Sequence, residues 1–266
     1  MDLIIIGSGG NVPTPRISCL CETCNNARKK GEPYKRCLAA LYIKDINTVI
    51  DCPEDISESL NRRNVTEVEN IFLTHWHPDH SFGFRLLVQA NYDFINDKCL
   101  KKINIYMPSK VYLKFKKIYP AIEYLLKNKK MGNLILINDG DKIKINNILI
   151  EPKAYTKNSE HYAYLISEDN KKVLYAPCDT INLKGKYENL TLLIHEQGYF
   201  SSEIKWELSF DKLIDRIKSW KPKSVILTHI SEDEIRRWGW EYLNKKETEN
   251  KNLNLKFAYD GMKIRI

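Results

Sequence analysis

The chain predicts an α+β protein in which two β-sheets pack face to face with helices outside them, a four-layer αββα sandwich. Strand runs occur in both halves of the chain, and helical stretches are interspersed among them. No repeat, linker or low-complexity break divides the 266 residues. Elements in this mixture bury their apolar faces best as packed layers. At 43% hydrophobic, the chain can fill one core without disulfides or oligomerisation. Residues 1–266 are therefore expected to form a single domain.

Each element has a local reason. Asp2 to Ile6 is a strand that ends in Gly7-Ser8-Gly9-Gly10, a loop that permits close backbone approach. Leu38 to Lys44 and Asn47 to Asp51 read as a hairpin around Asp45-Ile46. Pro53 is expected to open a helix running to about Arg63, because its fixed φ suits the first turn. The apolar run Ile71-Phe72-Leu73-Thr74 is a buried strand, and Phe82 to Ala90 is helical. Ile103 to Tyr106 is a strand. Ser109 is expected to cap a helix with Val111, Phe115 and Ile118 on one stripe, and a second helical piece reaches Lys130. Leu134 to Ile137 and Lys142 to Glu151 are strands about the Asp139-Gly140-Asp141 turn. Tyr162 to Ser167 and Lys172 to Tyr175 form a hairpin across Glu168-Asp169-Asn170. Leu190 to Ile194 and Ser224 to Thr228 are buried strands, with helices near Phe210 to Trp220 and Glu234 to Lys246. A last hairpin, Leu253 to Tyr259 and Met262 to Ile266, is expected to turn at Asp260-Gly261.

Composition narrows the function. No apolar stretch approaches the ~20 residues of a membrane span. Met1 to Ile6 is too short an apolar run for a signal peptide, so a cytoplasmic protein is expected. Seven Cys, an odd number with three close together, suit metal binding better than a disulfide framework. The net charge of +8 lies largely in short Lys runs. These read either as solvated faces or as attraction for an anionic substrate, a phosphate ester or RNA.

The most informative segment is His75-Trp76-His77-Pro78-Asp79-His80. Neutral imidazoles and a carboxylate suit borderline divalent ions such as zinc. The segment follows the Ile71 to Thr74 strand, so its ligands sit at a strand end. His75 and His77, at i and i+2 in extended chain, point the same way and can share one ion. Pro78 stops the strand, and Asp79 and His80 then face a second position. One loop thus begins two adjacent metal sites.

This His-x-His-x-Asp-His pattern resembles the signature of the metallo-β-lactamase superfamily, from the Gly7 loop to the hairpin at Tyr259-Asp260-Gly261. The resemblance implies the same αββα sandwich. It further implies that Asp179, after Ala176-Pro177-Cys178, bridges two metals, and that His229, after Val225-Ile226-Leu227-Thr228, is the final ligand. "Leu-Thr-His" occurs at both His75 and His229. The family's middle His has no direct counterpart. Aligning its strand on Tyr162-Ala163-Tyr164-Leu165 puts Lys157 at that position, with His161 as the available substitute.

Cys19-Leu20-Cys21-Glu22-Thr23-Cys24 places three thiols where they can wrap one tetrahedral ion. In the superfamily this Cys-x-Cys-x-x-Cys insert resembles the mark of the PhnP branch, which hydrolyses cyclic ribose phosphates. The branch completes its structural zinc with a His three residues after the final active-site His. Here that position is Glu232, so either Cys3Glu or a water ligand closes the site. His195-Glu196 resembles an element of the ribonuclease Z branch; His195 would orient a metal ligand, give a proton to the leaving group, or form a core pair with Glu196. Cys37, Cys52 and Cys99 read as small core residues, and Cys178 as packing under the site.

These readings converge on a metal-dependent hydrolase, a phosphodiesterase for a small cyclic nucleotide or ribose-phosphate ester. Two divalent ions, zinc or manganese, would occupy the active site, with one structural zinc at the cysteines. His75, His77 and His161 would hold one ion, and Asp79, His80 and His229 the other. Asp179 would span both, and Asp79 would also orient the water or pass its proton. The expected partner is a small anionic phosphate ester, with nucleic acid as second choice, no membrane, and assembly as a homodimer. A ribonuclease Z-like nuclease, a thioester or lactone hydrolase and a non-catalytic cofactor-biosynthesis relative remain alternatives on the same fold. The basic Ser109 to Lys130 stretch is too short for the tRNA arm that the nuclease would need.

Overall fold

The computed structural model describes residues 1–201 and 203–266. Its N-terminal half starts one sheet with β1 (Asp2–Gly7), β2 (Ala40–Ile43), β3 (Thr48–Ile50) and β4 (Asn70–Phe72). A small hairpin of β5 (Tyr92–Asp93) and β6 (Lys98–Cys99) stands apart. β7 (Ile103–Pro108) and β8 (Gly132–Ile137) extend the first sheet. The second sheet holds β9 (Ile143–Ile145), β10 (Ile148–Ala154), β11 (Tyr162–Glu168), β12 (Lys171–Ala176), β13 (Leu192–Glu196), β14 (Val225–Thr228) and β15 (Leu255–Phe257). The chain then returns to the first sheet with β16 (Met262–Arg265). The sheet orders are β16-β1-β2-β3-β4-β7-β8 and β15-β14-β13-β12-β11-β10-β9.

Side-chain alternation explains the layers. Leu3 and Ile5 of β1 enter the core between the sheets, with Ile50, Tyr164 and Ile194. Ile4 and Ile6, one residue out of phase, face the opposite side with Ile56, Phe84 and Phe115. Helices α2 (Ile56–Arg62), α4 (Phe84–Val88), α5 (Ser109–Ile118) and α6 (Ala121–Glu123) pack against the first sheet, α3 (Pro78–Ser81) follows β4, and α1 (Glu22–Lys30) lies against the helix Glu232–Trp238. α7 (Phe210–Trp220), α8 (Glu232–Trp238) and α9 (Trp240–Glu249) accompany the second. α7 has the period expected of a covering helix: Leu213, Ile217 and Trp220 pack against Leu193 and Leu227. Truncating the fully buried Leu213 to Ala would cost about 2–5 kcal/mol. Among the described residues, no helix is long and apolar enough to cross a membrane.

Several local expectations are corrected. The α2 helix begins at Ile56 rather than at Pro53. The Pro53 carbonyl instead accepts from Ile56 N–H in a turn, while the Cys52 carbonyl accepts from Gly83 N–H. A Cβ at Gly83 would overlap the Pro53 carbonyl oxygen, so this contact requires glycine. Pro78 does more than stop a strand, because it occupies the first turn of α3. The helical run after it is interrupted between Ser81 and Phe84. Ser109 is not the cap of α5; its hydroxyl donates to the Ile137 carbonyl. Lys142 to Glu151 is two strands rather than one, turning at Asn146, whose φ is 55°. The helix near Glu234 to Lys246 is likewise two helices, broken at Gly239 with φ 81°. Finally, β15 and β16 are not a hairpin. β15 runs parallel to β14, and β16 pairs with β1 in the other sheet. Buried Asp260 anchors this crossing by accepting from Ser8 N–H, Ser8 Oγ–H and Cys37 N–H.

Candidate metal centre

The loops after β4, β12 and β14 and the start of β11 converge at one end of the sandwich. They bring together His75, His77, Asp79, His80, His161, Asp179 and His229. The rings of His75 and His77 lie 4.6 Å apart, and those of His75 and His80 4.2 Å. His80 Nε2 is 3.3 Å from Asp79 Oδ2, and His229 Nε2 is 3.5 Å from the same oxygen. His77 Nδ1 lies 3.6 Å from Asp179 Oδ2, and His161 Nε2 lies 2.8 Å from it.

His161 reaches the cluster because the sheets are stitched there. Tyr162 N–H donates to the Thr74 carbonyl, and the Tyr164 hydroxyl donates to the Leu73 carbonyl. The residue before Tyr162 must therefore lie beside the residue after Thr74, and the His75 and His161 rings are 4.8 Å apart. Lys157 is exposed on the preceding loop, where its carbonyl accepts from Lys110 Nζ. The structure thus brings in His161 and leaves Lys157 out.

Three site residues hold left-handed backbone: Asp51 (φ 67°), Asp179 (φ 53°) and His229 (φ 55°). Such conformations are uncommon outside Gly, though Asp and His tolerate them better than most, and they cluster at functional sites. Sequence reasoning missed Asp51 and read Glu196 only in company with His195. Asp51 is fully buried at the end of β3 and accepts from Thr74 N–H, Thr74 Oγ–H and His80 Nδ1–H. Thr74 Oγ also lies 2.9 Å from His75 Nδ1. These contacts leave the Nε2 atoms of both imidazoles facing the cluster. Buried Glu196 accepts from Thr180 N–H at 2.6 Å and from the Thr180 hydroxyl, which sets the turn carrying Asp179. An Asp just past one strand and a Glu closing an apolar one were the available signals, but their partners are distant in sequence.

His195 is not brought to the cluster. It alternates with Glu196, so its ring points toward α7 while Glu196 points inward. There His195 Nδ1 lies 2.9 Å from the Glu196 carbonyl and Nε2 3.1 Å from Arg216 Nη1. Burial and the Arg216 guanidinium push the imidazole down to about 3, so it stays neutral.

The donor set fits divalent cations. The Nε2 atoms of His75, His80, His161 and His229 are buried without a hydrogen-bond partner. The 2.8 Å approach of His161 to Asp179 lacks hydrogen-bond direction. Buried imidazole nitrogens left open are costly unless something binds them. Burial and the neighbouring imidazoles hold His75 well below the usual range. Burial opposes charge on His80, yet Asp79 and Asp51 overcome it and raise this imidazole to about 10. Burial raises the Asp79 carboxyl, but His80 and His229 outweigh it and keep it ionised. A site that holds a proton on His80 between two carboxylates, beside a neutral His75, is arranged for positive charge.

A second cluster joins Cys19, Cys21, Cys24 and Glu232, whose ligand atoms all lie within 4.8 Å of one another. Cys21 caps α1 and receives Cys24 N–H, while Glu232 opens α8 and is fully buried. Cys24 Sγ is 3.3 Å and Cys21 Sγ 3.6 Å from Glu232 Oε1. Arg16 pairs with the other carboxylate oxygen at 3.0 Å. Burial pushes the Cys24 thiol up to about 12. Three sulfurs and one oxygen in this arrangement fit a tetrahedral structural ion. Cys37 and Cys52 are buried in the core, and Cys99 is half-buried.

Comparison with known proteins agrees with this fold. The fold matches Zn²⁺-bound PqqB from Methylobacterium extorquens with a TM-score of 0.77 at 12% identity, covering 100% of both chains. It matches a diphosphatase from the PhnP family at 0.74 and 19% identity, over 99% of this chain and 96% of that one. The metallo-β-lactamase fold protein YhfI from Bacillus subtilis matches at 0.69 and 15% identity, over 99% and 98%. A curated relative, an octanoyltransferase from Porphyromonas gingivalis, is 25% identical over 83 residues, 31% of this chain. The chain spans only 17% of that relative's length. The family model for the Anti-Pycsar protein Apyc1 matches residues 34–234, well over half of the chain. The chain therefore belongs to the Anti-Pycsar protein Apyc1 family and has the metallo-β-lactamase fold.

Proposed function

We propose that this protein is a metal-dependent phosphodiesterase acting on a small cyclic nucleotide or a related ribose-phosphate ester. The observation that carries this reading is the convergence of five imidazoles and two carboxylates with four open, buried Nε2 atoms. Family membership supports it, since the anti-Pycsar family is associated with cyclic nucleotide degradation.

His75, His77 and His161 would hold one divalent ion, Asp79, His80 and His229 a second, and Asp179 would lie across both. Such ions supply Lewis acidity: they lower the pKa of water and offset negative charge on phosphoryl oxygens. The chain's own groups do the positioning. Asp51 fixes the His80 tautomer by accepting its Nδ1 proton, and so presents Nε2 to the site. Glu196, through Thr180, holds the turn that aims the Asp179 carboxylate. Asp79 stays ionised and is placed to orient a water and take its proton.

Turnover of bis(p-nitrophenyl) phosphate and of cyclic nucleotides, with added Mn²⁺ or Zn²⁺, tests the reading. Hydrolysis by the native chain, with loss of both metal and turnover in His80→Ala and Asp179→Ala, is the expected result. Near-normal turnover in either folded variant overturns the two-ion assignment.

A further inference from the structure

Cys178, expected from sequence only to pack under the site, lies within reach of ligand atoms on both sides of it. It precedes Asp179 and is buried, with its carbonyl accepting from the Tyr155 hydroxyl at 2.8 Å. Its thiol joins two groups of ligand atoms. Within the first, His75, His77, Cys178 and Asp179 lie within 4.8 Å of one another; within the second, His80, Cys178 and His229 do. Of the residues in these two groups, only Cys178 belongs to both.

That dual membership constrains where the sulfur is. The two groups correspond to the two ion positions of the proposed site, which would stand about 3.5–4 Å apart. An atom close to the ligand atoms of both lies beneath the line joining the positions, at the floor of the site. His75, His80 and His229, members of these two groups, each also carry a buried Nε2 atom without a hydrogen-bond partner. Nitrogen and sulfur sharing a tetrahedral zinc are about 3.5 Å apart, from bond lengths of about 2.0 and 2.3 Å. The observed groups therefore close on an ion with a contraction on the order of 1 Å.

We propose that Cys178 is a metal ligand at the floor of this centre, reachable from both positions, and that its sulfur biases the site toward a thiophilic divalent ion such as zinc over manganese. The inference rests on the metal-centre reading above. Binding exchanges the S–H bond for an S–metal bond, and the proton leaves to solvent. Soft thiolate favours zinc, whereas sites of oxygen donors suit manganese, so one sulfur among imidazoles and carboxylates shifts the preference.

The test is ¹¹³Cd NMR of the full chain loaded with cadmium, supported by zinc–manganese competition. Cadmium reports sulfur in its ligand set by a large downfield shift, and the Cys19-Cys21-Cys24 cluster gives a separate resonance as internal reference. The expected wild-type spectrum has an active-site resonance shifted downfield by one sulfur. Cys178→Ala and the closer isostere Cys178→Ser should move it upfield and leave the cysteine-cluster resonance unchanged. Zinc preference over manganese should fall by about tenfold or more in both variants. An active-site resonance with only nitrogen and oxygen character in the wild type overturns the inference without any variant having to fold. An unchanged zinc–manganese ratio in the variants overturns it as well. If only the cysteine-cluster resonance is present in the wild type, the metal-centre reading itself fails, which is distinct from an active-site ion lacking sulfur.

Discussion

Asp51 Oδ2 accepts the Nδ1 proton of His80 across 2.9 Å, with both side chains fully buried. The two residues are 29 positions apart, and neither has solvent to fall back on. The contact fixes which His80 nitrogen faces the cluster, so a change at Asp51 is expected to act on metal affinity through the orientation of His80.

Asp51→Asn should therefore lower active-site metal affinity by about 10–100-fold, the range seen when such orienting partners are altered. Asn keeps the volume and one acceptor, so the fold should survive. Equilibrium dialysis against zinc checks this, and an affinity equal to wild type would sink the assigned role. Asp51→Ala should also lower stability, because it leaves Thr74 N–H and His80 Nδ1–H buried and unpaired.

His161 and Lys157 separate in one experiment. His161→Ala should lose metal and activity together. Lys157→Ala, exposed and outside the cluster, should keep full metal content and at most weaken substrate binding. Metal analysis and steady-state kinetics of both variants decide it. Metal loss confined to the Lys157 variant would show that the ligand has been misassigned.

Cys21→Ser should reduce bound zinc by about one ion per chain and lower the melting temperature, since binding at a structural site is folding energy. Glu232→Gln should weaken the same ion and also remove the 3.0 Å ion pair with Arg16, which keeps its second partner Asp233 at 2.9 Å. Zinc stoichiometry is the readout. Unchanged zinc content in Cys21→Ser would mean that the thiols only pack.

His195 makes a pH prediction. Its folded-state pKa of about 3 lies below the ordinary value of 6.5, so the unfolded chain binds more protons between those values. The contribution is fully present above pH 6.5 and is lost as the pH falls through that window. At pH 5 the loss is about 2 kcal/mol relative to pH 7. His195→Gln should flatten this part of the curve. Urea midpoints at pH 5 and 7 for both proteins check the slope, and parallel losses would refute the attribution.

Local chemistry in the chain was enough to determine the layer architecture and most of the centre. Period-2 alternation in strands such as β1, and the helical stripe of α7, dictate which faces are buried whatever the partner. The His75 to His80 segment declares itself because its ligands are adjacent and need only a strand end to display them. What lies far apart in sequence was decided by the tertiary structure alone. The hydrogen bond from Tyr162 to Thr74 draws His161 beside His75, and no local propensity encodes that contact. The roles of Asp51 and Glu196, the outward turn of His195 and the shared position of Cys178 depend on which strands become neighbours. β15 and β16 make the same point: their turn residues suggest a hairpin, but buried Asp260, tied to Ser8 and Cys37, carries the chain across to the other sheet. A buried carboxylate needs donors, and only the assembled fold decides which ones it meets.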